Sequence, residues 1–260
     1  MGLTNTQSKT LAAREDVGIL FVGPIIGLPP SLISAFDVFK ERGIGIEGVD
    51  IFEGQNIKKN LSTILGLTIL PGSQKRRIEF ANNYNERHLF EVILNKISSL
   101  KARGKKRIII GGMSGGFIFA SRMVQVPPDR DAASYALKAK PFISGLFGIS
   151  PLIFYPSGVF QKGADLESIP SHVPTTLIWG DADTIVPKGT IAYGQRISQK
   201  KVHVKCRVIR GSEAGSKDGK LKHQFFGGKD FIKPLTNVYW NPKAEGIALE
   251  EITNIVKTIL

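Results

Sequence analysis

The sequence predicts an α/β fold, in which a mostly parallel sheet of about six strands carries helices on both faces. From Val17 onward, short apolar runs alternate with helix-like segments, which is the pattern of right-handed βαβ crossovers. The apolar runs are continuous instead of alternating, as strands covered on both faces require. The 260 residues show no repeat and no break in composition, which favours one domain over 17–260 after a flexible tail over 1–16.

Six segments have the length and composition of buried strands. The clearest are "RIIIGG" and "TTLIW", which are rich in β-branched residues and end next to glycine. The predicted strands cover residues 17–22, 44–52, 107–112, 142–150, 175–179 and 202–209.

The segments between these strands place apolar residues at helical spacing. Residues 85–104 are the strongest case, because Leu89, Phe90 and Ile93 fall on one face. Helices are predicted over 30–43, 85–104, 115–125, 190–200 and 244–260. Residues 53–84 are less regular, and the apolar stretch 60–72 inside them is a candidate lid.

The net charge and the distribution of basic residues indicate which classes of partner to expect. Net charge is +13, but the basic residues are scattered and show neither an aromatic-interleaved stripe nor a zinc-finger pattern, so no nucleic-acid partner is expected. A solvated basic surface and attraction to an anionic membrane or an acidic partner both stay open. The sequence carries no signal for the oligomeric state.

Several features predict a cytoplasmic protein. Cys206 is the only cysteine, so no intrachain disulfide can form, which suits a reducing compartment. The longest uncharged run, residues 141–161, is interrupted by prolines and glycines, which argues against a membrane span. The first residues also lack the apolar core of a secretory signal.

The N-terminus carries a separate pattern. Gly2 follows the initiator methionine and Thr6 occupies the hydroxyl position, matching the N-myristoylation pattern M-G-x-x-x-[ST]. A single myristoyl chain gives only marginal membrane binding, which the basic surface would reinforce. The alternative is a disordered tail without a modification.

A candidate nucleophile lies between the third predicted strand and the following helix. Residues 112–116, "GMSGG", have the form G-x-S-x-G around Ser114. This strand–turn–helix setting is the one that a nucleophile elbow needs, because small flanking residues relieve a strained turn. The alternative is a plain strand-to-helix turn.

A second motif extends this pattern to a family. Together, "GGMSGG" and "IWGDADTIVP" resemble the α/β-hydrolase superfamily, in which G-x-x-D-x-x-V-P follows the penultimate strand and carries the acid of a catalytic triad. The resemblance implies that Gly180 matches the glycine and that Asp183 is the acid. Asp181 is the alternative acid, and otherwise a solvent-facing turn residue. The resemblance covers residues 17–260 as architecture, without the family's two N-terminal antiparallel strands and with a small or absent cap over 151–173.

The family pattern places the catalytic base after the last strand. The chain has four histidines, His88, His172, His203 and His223. Only His223 falls in a loop between the final strand and the final helix. The resulting order Ser114, Asp183, His223 is the order of this fold. The alternative for His223 is an exposed loop histidine among lysines.

The oxyanion hole is less regular than the triad. The N–H of Gly115, directly after the nucleophile, is one expected donor. The second should come from the loop "FVGPIIGLPP", where the family often shows His-Gly-x-x-Gly and this chain has no histidine. One alignment makes Ile25 the donor. The other places Pro24 there, which has no N–H to donate.

These residues predict a serine hydrolase that cleaves a carboxylic ester or thioester with an apolar acyl group. The apolar stretches 151–160 and 61–70 would form the acyl wall, unless they are ordinary core. No metal or organic cofactor is expected, because the chain has no clustered His/Cys spacing, no P-loop and no G-x-G-x-x-G after a strand. Two other hypotheses stay open: a non-catalytic binding protein with the hydrolase fold, and a membrane-peripheral adaptor that uses Gly2 and the basic surface.

Overall fold

A computed structural model describes residues 15–24, 27–54, 84–126, 132–153, 163–187, 189–223, 225–227 and 240–260. Within them, six parallel strands form one sheet in the order β2-β1-β3-β4-β5-β6. The strands are β1 Val17–Val22, β2 Gly45–Val49, β3 Arg107–Met113, β4 Ile143–Ile149, β5 Thr175–Gly180 and β6 Val204–Ile209. The predicted parallel α/β sheet is therefore confirmed.

Burial follows the position of each strand in the sheet. Every residue of β1 and of β5 is buried, whereas the edge strand β2 is mostly half-buried and β6 exposes Lys205. Central strands touch helices on both faces, while an edge strand has one side open to water. This is why the central strands form continuous apolar runs in the sequence.

Helices cover both faces of the sheet. They are α1 Pro30–Ser34, α2 Asp37–Lys40, α3 Glu86–Ala102, α4 Gly116–Arg122, α5 Ala133–Ala139, α6 Thr190–Lys200 and α7 Pro242–Ile259. Buried side chains of α3, α4, α5 and α6 share one core with one face of the sheet. Those of α1, α2 and α7 share a second core with the other face. The two longest helices of the described residues begin at asparagine caps, Asn85 for α3 and Asn241 for α7. The asparagine side chains accept from N–H groups that have no partner within the helix.

The helix predicted over 30–43 is instead two short helices. Phe36 lies in the break with φ −92° and ψ 3°, its side chain fully buried. Its ring centroid lies 4.8 Å from that of Phe21 in β1. The break lets this ring pack against the sheet, and the stabilisation from burying an aromatic side chain outweighs continuous helix bonding over so short a segment.

Helix α5 was not predicted. Of its seven residues only Ala136 and Ala139 are buried, so it lacks the wide apolar stripe by which a helix is recognised. The predicted lid, 60–72, lies outside the described residues, as do Gly2 and most of the predicted acyl wall, 154–160. No helix among the described residues is both long and apolar enough to cross a membrane.

Candidate active site

The parallel sheet brings the carboxyl ends of its strands to one edge. In the register, Met113 of β3 lies beside Ile149 of β4, and Ile149 lies beside Ile178 of β5. The chain runs from β1 to β2 on one side and then returns to β3 on the other. Such a point of reversal is where open α/β sheets bind ligands. Ser114, directly after β3, lies next to it.

Ser114 occupies a strained turn. Its φ is 52°, in the left-handed region that residues with a side chain rarely adopt. Its N–H donates to the carbonyl of Ile149 at 3.0 Å, and its carbonyl accepts from the N–H of Leu152 at 3.0 Å and of Phe117 at 3.2 Å. These bonds on both sides of the residue hold the strained conformation, which is typical of a functional elbow.

The flanking glycines are required by close backbone approach. A Cβ on Gly116 would lie 2.3 Å from the carbonyl oxygen of Gly23, and a Cβ on Gly112 would lie 2.4 Å from the backbone nitrogen of Phe117. Neither neighbour is a flexible side chain that could turn away. The G-x-S-x-G pattern therefore reflects a turn in which the helix after Ser114 packs directly on the end of β1.

Asp183 and His223 are in contact. The carboxylate oxygens of Asp183 lie 2.8 and 3.0 Å from Nδ1 of His223, with side chains 0% and 4% exposed, respectively. Oδ1 of Asp183 also accepts from the N–H groups of Ile185 at 3.1 Å and Val186 at 3.3 Å. A carboxylate only accepts, so we assign the imidazole proton to Nδ1, which leaves Nε2 as an acceptor.

Asp181 has a different set of partners. Its Oδ1 accepts from the N–H of Leu221 at 2.8 Å and its Oδ2 from the N–H of Gly211 at 3.1 Å, while the N–H of Ala182 donates to the carbonyl of Leu221 at 2.9 Å. The residue is exposed, as predicted, but its carboxylate joins the loop after β5 to the loop that carries His223. No motif around Asp181 predicts this role.

Ser150 also contacts the histidine loop, and sequence reasoning missed it. It follows β4 directly, is fully buried, and donates from Oγ to the carbonyl of His223 at 2.6 Å. The only signal in the sequence is its place, since a serine after a strand of a parallel sheet falls on the same edge as the other site residues.

Ser114 and His223 are linked through two consecutive residues. The carbonyl of Ile149 accepts from the N–H of Ser114, and the hydroxyl of the next residue, Ser150, donates to His223. Among the described residues, no hydrogen bond joins Ser114 Oγ to the imidazole. Where such a bond is catalytic, it is often long in the absence of substrate and tightens on binding.

Comparison with known proteins identifies similar structures but no similar sequence. No protein-family model matches the chain, and no curated protein matches it in sequence. A Klebsiella pneumoniae protein classed as a dienelactone hydrolase superposes with a TM-score of 0.59 at 10% identity, over 92% of this chain and 86% of that one. A dienelactone hydrolase-like promiscuous phosphotriesterase from metagenomic libraries gives 0.55 at 11% identity, over 93% and 86%. Esterase 2 of Thermogutta terrifontis gives 0.54 at 18% identity, over 92% and 82%.

This chain has the α/β-hydrolase fold. At these identities the similarity establishes the fold, and the chemistry has to be argued from the residues of the site. Within this fold, Ser114 follows strand β3, Asp183 follows β5 and His223 follows β6.

The other histidines lie elsewhere in the α/β-hydrolase fold. His172 and His203 precede β5 and β6, at the opposite edge of the sheet from Ser114. Burial lowers the pKa of His203, whose Nε2 lies 3.3 Å from the carbonyl of Ile169. His88 lies in the first turn of α3, near Glu91. The described residues contain no cluster of three or more metal-ligating side chains.

One of the two predicted oxyanion donors lies within the described residues. Gly115 has φ −61° and ψ −27° at the start of α4, and no hydrogen bond between described residues uses its N–H. The other, Ile25, lies outside them. Beside it, the N–H of Gly27 donates to the carbonyl of Pro24 at 2.9 Å and the N–H of Gly23 to Val49 at 2.8 Å. The assignment of the second donor stays a prediction.

Proposed function

We propose that this protein is a serine hydrolase that cleaves carboxylic esters or thioesters through Ser114, His223 and Asp183. One observation carries the proposal: the contact between Asp183 and Nδ1 of His223 at 2.8 Å. It lies at the same edge of the sheet as a serine on a strained elbow. A buried carboxylate on one imidazole nitrogen leaves the other free to accept a proton from a nucleophile.

In the first step, Nε2 of His223 takes the proton of Ser114 Oγ while Oγ attacks the carbonyl carbon of the substrate. The tetrahedral intermediate carries a negative oxygen, to which the N–H of Gly115 donates. The bond to the leaving group then breaks, and His223 gives its proton to the departing alkoxide or thiolate. The products of this step are the free alcohol or thiol and an ester of Ser114.

In the second step, a water molecule gives a proton to His223 and attacks the acyl-enzyme. The intermediate collapses, Ser114 recovers its proton and the carboxylic acid leaves. Asp183 stays ionised throughout: it orients the imidazole and stabilises the imidazolium that forms in each step.

The preference for an apolar acyl group is supported by fewer of the described residues than the hydrolysis reaction itself. Leu152 and Ile153, the described end of the predicted wall, are buried in the core, so this part does not line an open cleft. Ile185, two residues beyond Asp183, is 49% exposed and offers apolar surface beside the site. We therefore propose ester or thioester hydrolysis as the reaction. An apolar acyl group is the more specific proposal about its substrate.

Covalent labelling tests the proposal. A fluorophosphonate probe, or paraoxon, should attach to Ser114 of the folded protein, and Ser114→Ala should abolish labelling. Paraoxon is a suitable choice because it phosphorylates the structurally similar Thermogutta esterase. Ser121→Ala, which removes a buried serine of α4, is the matched control and should keep the label. No labelling of well-folded protein would contradict the proposal and favour a non-catalytic binding protein.

A series of substrates with acyl chains of increasing length tests whether the site prefers an apolar acyl group. Hydrolysis of p-nitrophenyl esters from acetate to octanoate, alongside the corresponding acyl thioesters, would show a rise in kcat/KM with chain length if the acyl site is apolar. Burial of each added methylene contributes about 0.8 kcal/mol at most, or about fourfold per carbon. A flat series would contradict the apolar acyl group and leave the hydrolase proposal intact.

A further inference from the structure

We propose that Ser150 is a positioning residue that sets the place of His223 relative to Ser114, an inference that rests on the proposed function. Ser150 is fully buried, and its Oγ donates to the backbone carbonyl of His223 at 2.6 Å. The bond joins residues 73 positions apart. It anchors the histidine's backbone, whereas Asp183 holds the ring.

The backbone of Ser150 is adapted to this contact. Its φ is 43°, in the left-handed region, although serine has no steric freedom to prefer it. Its N–H donates to the carbonyl of Ile178 at 2.7 Å and so continues the β4–β5 ladder for one more residue. A fully buried serine held in a strained conformation by two hydrogen bonds is the kind of local strain that persists where function requires it.

The same segment holds the nucleophile. The carbonyl of Ile149 accepts from Ser114, and the N–H of Leu152 donates to the carbonyl of Ser114 at 3.0 Å. Residues 149–152 therefore bond to the backbones of both Ser114 and His223. The end of β4 thus acts as a common support between base and nucleophile.

Loss of the Ser150 hydroxyl should affect the reaction more than the fold. The ring of His223 would keep Asp183, and the loop would keep the two bonds that join Asp181 and Ala182 to Leu221. What would be lost is the support of the carbonyl of His223 itself. A displacement of the base by a fraction of an ångström weakens proton transfer without changing substrate binding.

Two substitutions separate the hydrogen bond from the backbone strain. Ser150→Ala removes Oγ and keeps a side chain at φ 43°, whereas Ser150→Gly removes Oγ and relieves the strain. Positioning predicts that both lower kcat by about tenfold, because a base displaced by a fraction of an ångström transfers the proton less efficiently, with KM within about twofold. If Ser150→Ala does not fold, Ser150→Gly alone gives the measurement.

The matched control is Thr175→Val. Thr175 is also buried at a strand end and donates from its hydroxyl to a backbone carbonyl, that of Val173 at 3.0 Å, but at the opposite edge of the sheet. Its loss should lower stability and leave kcat unchanged. Equal kcat losses in the control and in both Ser150 variants would show a general structural effect and overturn the proposal.

A measurement that does not depend on catalysis distinguishes this proposal from the proposed hydrolase function. In ¹H NMR, the Nδ1 proton of His223 should exchange with water at least about tenfold faster in Ser150→Gly than in the wild type, because exchange follows the local opening of the loop. Unchanged exchange overturns the positioning role even if Ser114 is labelled by the fluorophosphonate. Faster exchange supports it even if wild-type protein is not labelled, in which case only the hydrolase proposal fails.

Discussion

Asp183 accepts from His223 with one carboxylate oxygen at 2.8 Å, while its other oxygen is shared between the same imidazole and two backbone N–H groups. These N–H groups, from Ile185 and Val186, fix which oxygen faces which partner. The pair therefore has a defined orientation, and this makes the effect of removing its charge predictable.

Asp183→Asn should lower kcat by about 10³- to 10⁴-fold. The amide oxygen would replace Oδ1 and accept from Ile185 and Val186. The amide nitrogen would then face Nδ1 of His223, donor against donor, and drive the imidazole proton to Nε2. A protonated Nε2 cannot accept the proton of Ser114. Steady-state kinetics on a p-nitrophenyl ester would measure the loss.

The control for this variant lies two residues away in the same turn. Asp181→Asn keeps an oxygen for Leu221 and weakens only the bond from Gly211, so it should lower kcat by less than about tenfold. An equal loss in both variants would contradict the assignment of Asp183 as the acid and point to a general collapse of the turn.

The parts of the site that the sequence predicted are those with a local pattern. Ser114 and Asp183 each follow an apolar run that ends at glycine, and His223 is the single histidine after the last strand. Their positions could therefore be predicted from short stretches, and the structure brings Asp183 and His223 together. Their catalytic roles stay predictions that the variants above test.

The parts that the sequence missed depend on distant contacts. The partners of Asp181 lie 30 and 40 residues away and that of Ser150 lies 73 away, so no window of the sequence contains both ends of these bonds. The break at Phe36 has the same cause, since its ring packs against β1. The spacing of apolar residues predicts which face of a helix is buried, but it does not predict that a contact with a residue distant in sequence interrupts the helix.

Gly116→Ala should destabilise the fold by about 3 kcal/mol or more, because the new methyl group would lie 2.3 Å from the backbone oxygen of Gly23 and neither backbone can move far within the core. Gly246→Ala in α7 is the matched control. Its Cβ would meet nothing within 4 Å, and alanine should stabilise the helix by about 0.5 to 1 kcal/mol. Urea unfolding would measure both changes, and a stable Gly116→Ala protein would contradict the close approach at the elbow.

Cys206 should be unreactive in the folded protein. Burial raises the pKa of its thiol to about 11, so at pH 8 about one thiol in a thousand is ionised, against about a quarter for a free cysteine. Iodoacetamide should therefore modify the native chain about a hundredfold more slowly than the chain unfolded in guanidinium. Because Cys206 is the only cysteine, mass spectrometry of the intact protein gives both rates directly. Comparable rates would place the thiol in water.

Glu86→Ala, at the start of α3, should strongly destabilise the fold, because Glu86 is buried and forms an ion pair with an arginine of α4. Arg122, at the end of that helix, is fully buried, and its Nη1 lies 2.6 Å from the carboxylate of Glu86. Removing one partner of a buried ion pair takes an opposite charge away from a group that water does not reach, at a cost of about 3 to 5 kcal/mol. Because α4 begins directly after Ser114, its displacement should also lower the rate of fluorophosphonate labelling.

The control for this pair is an exposed one. Lys40 and Asp37 lie 2.7 Å apart with side chains about half exposed, and water screens such a pair, so Lys40→Ala should change stability by about 0.5 kcal/mol or less. Urea unfolding at low salt and in 1 M salt distinguishes the buried pair from the exposed pair. The loss of stability in Glu86→Ala should persist in 1 M salt, because the buried pair is shielded from ions. A loss that disappears in salt would mean that the cost of Glu86→Ala arises from long-range surface charge and not from the buried pair with Arg122.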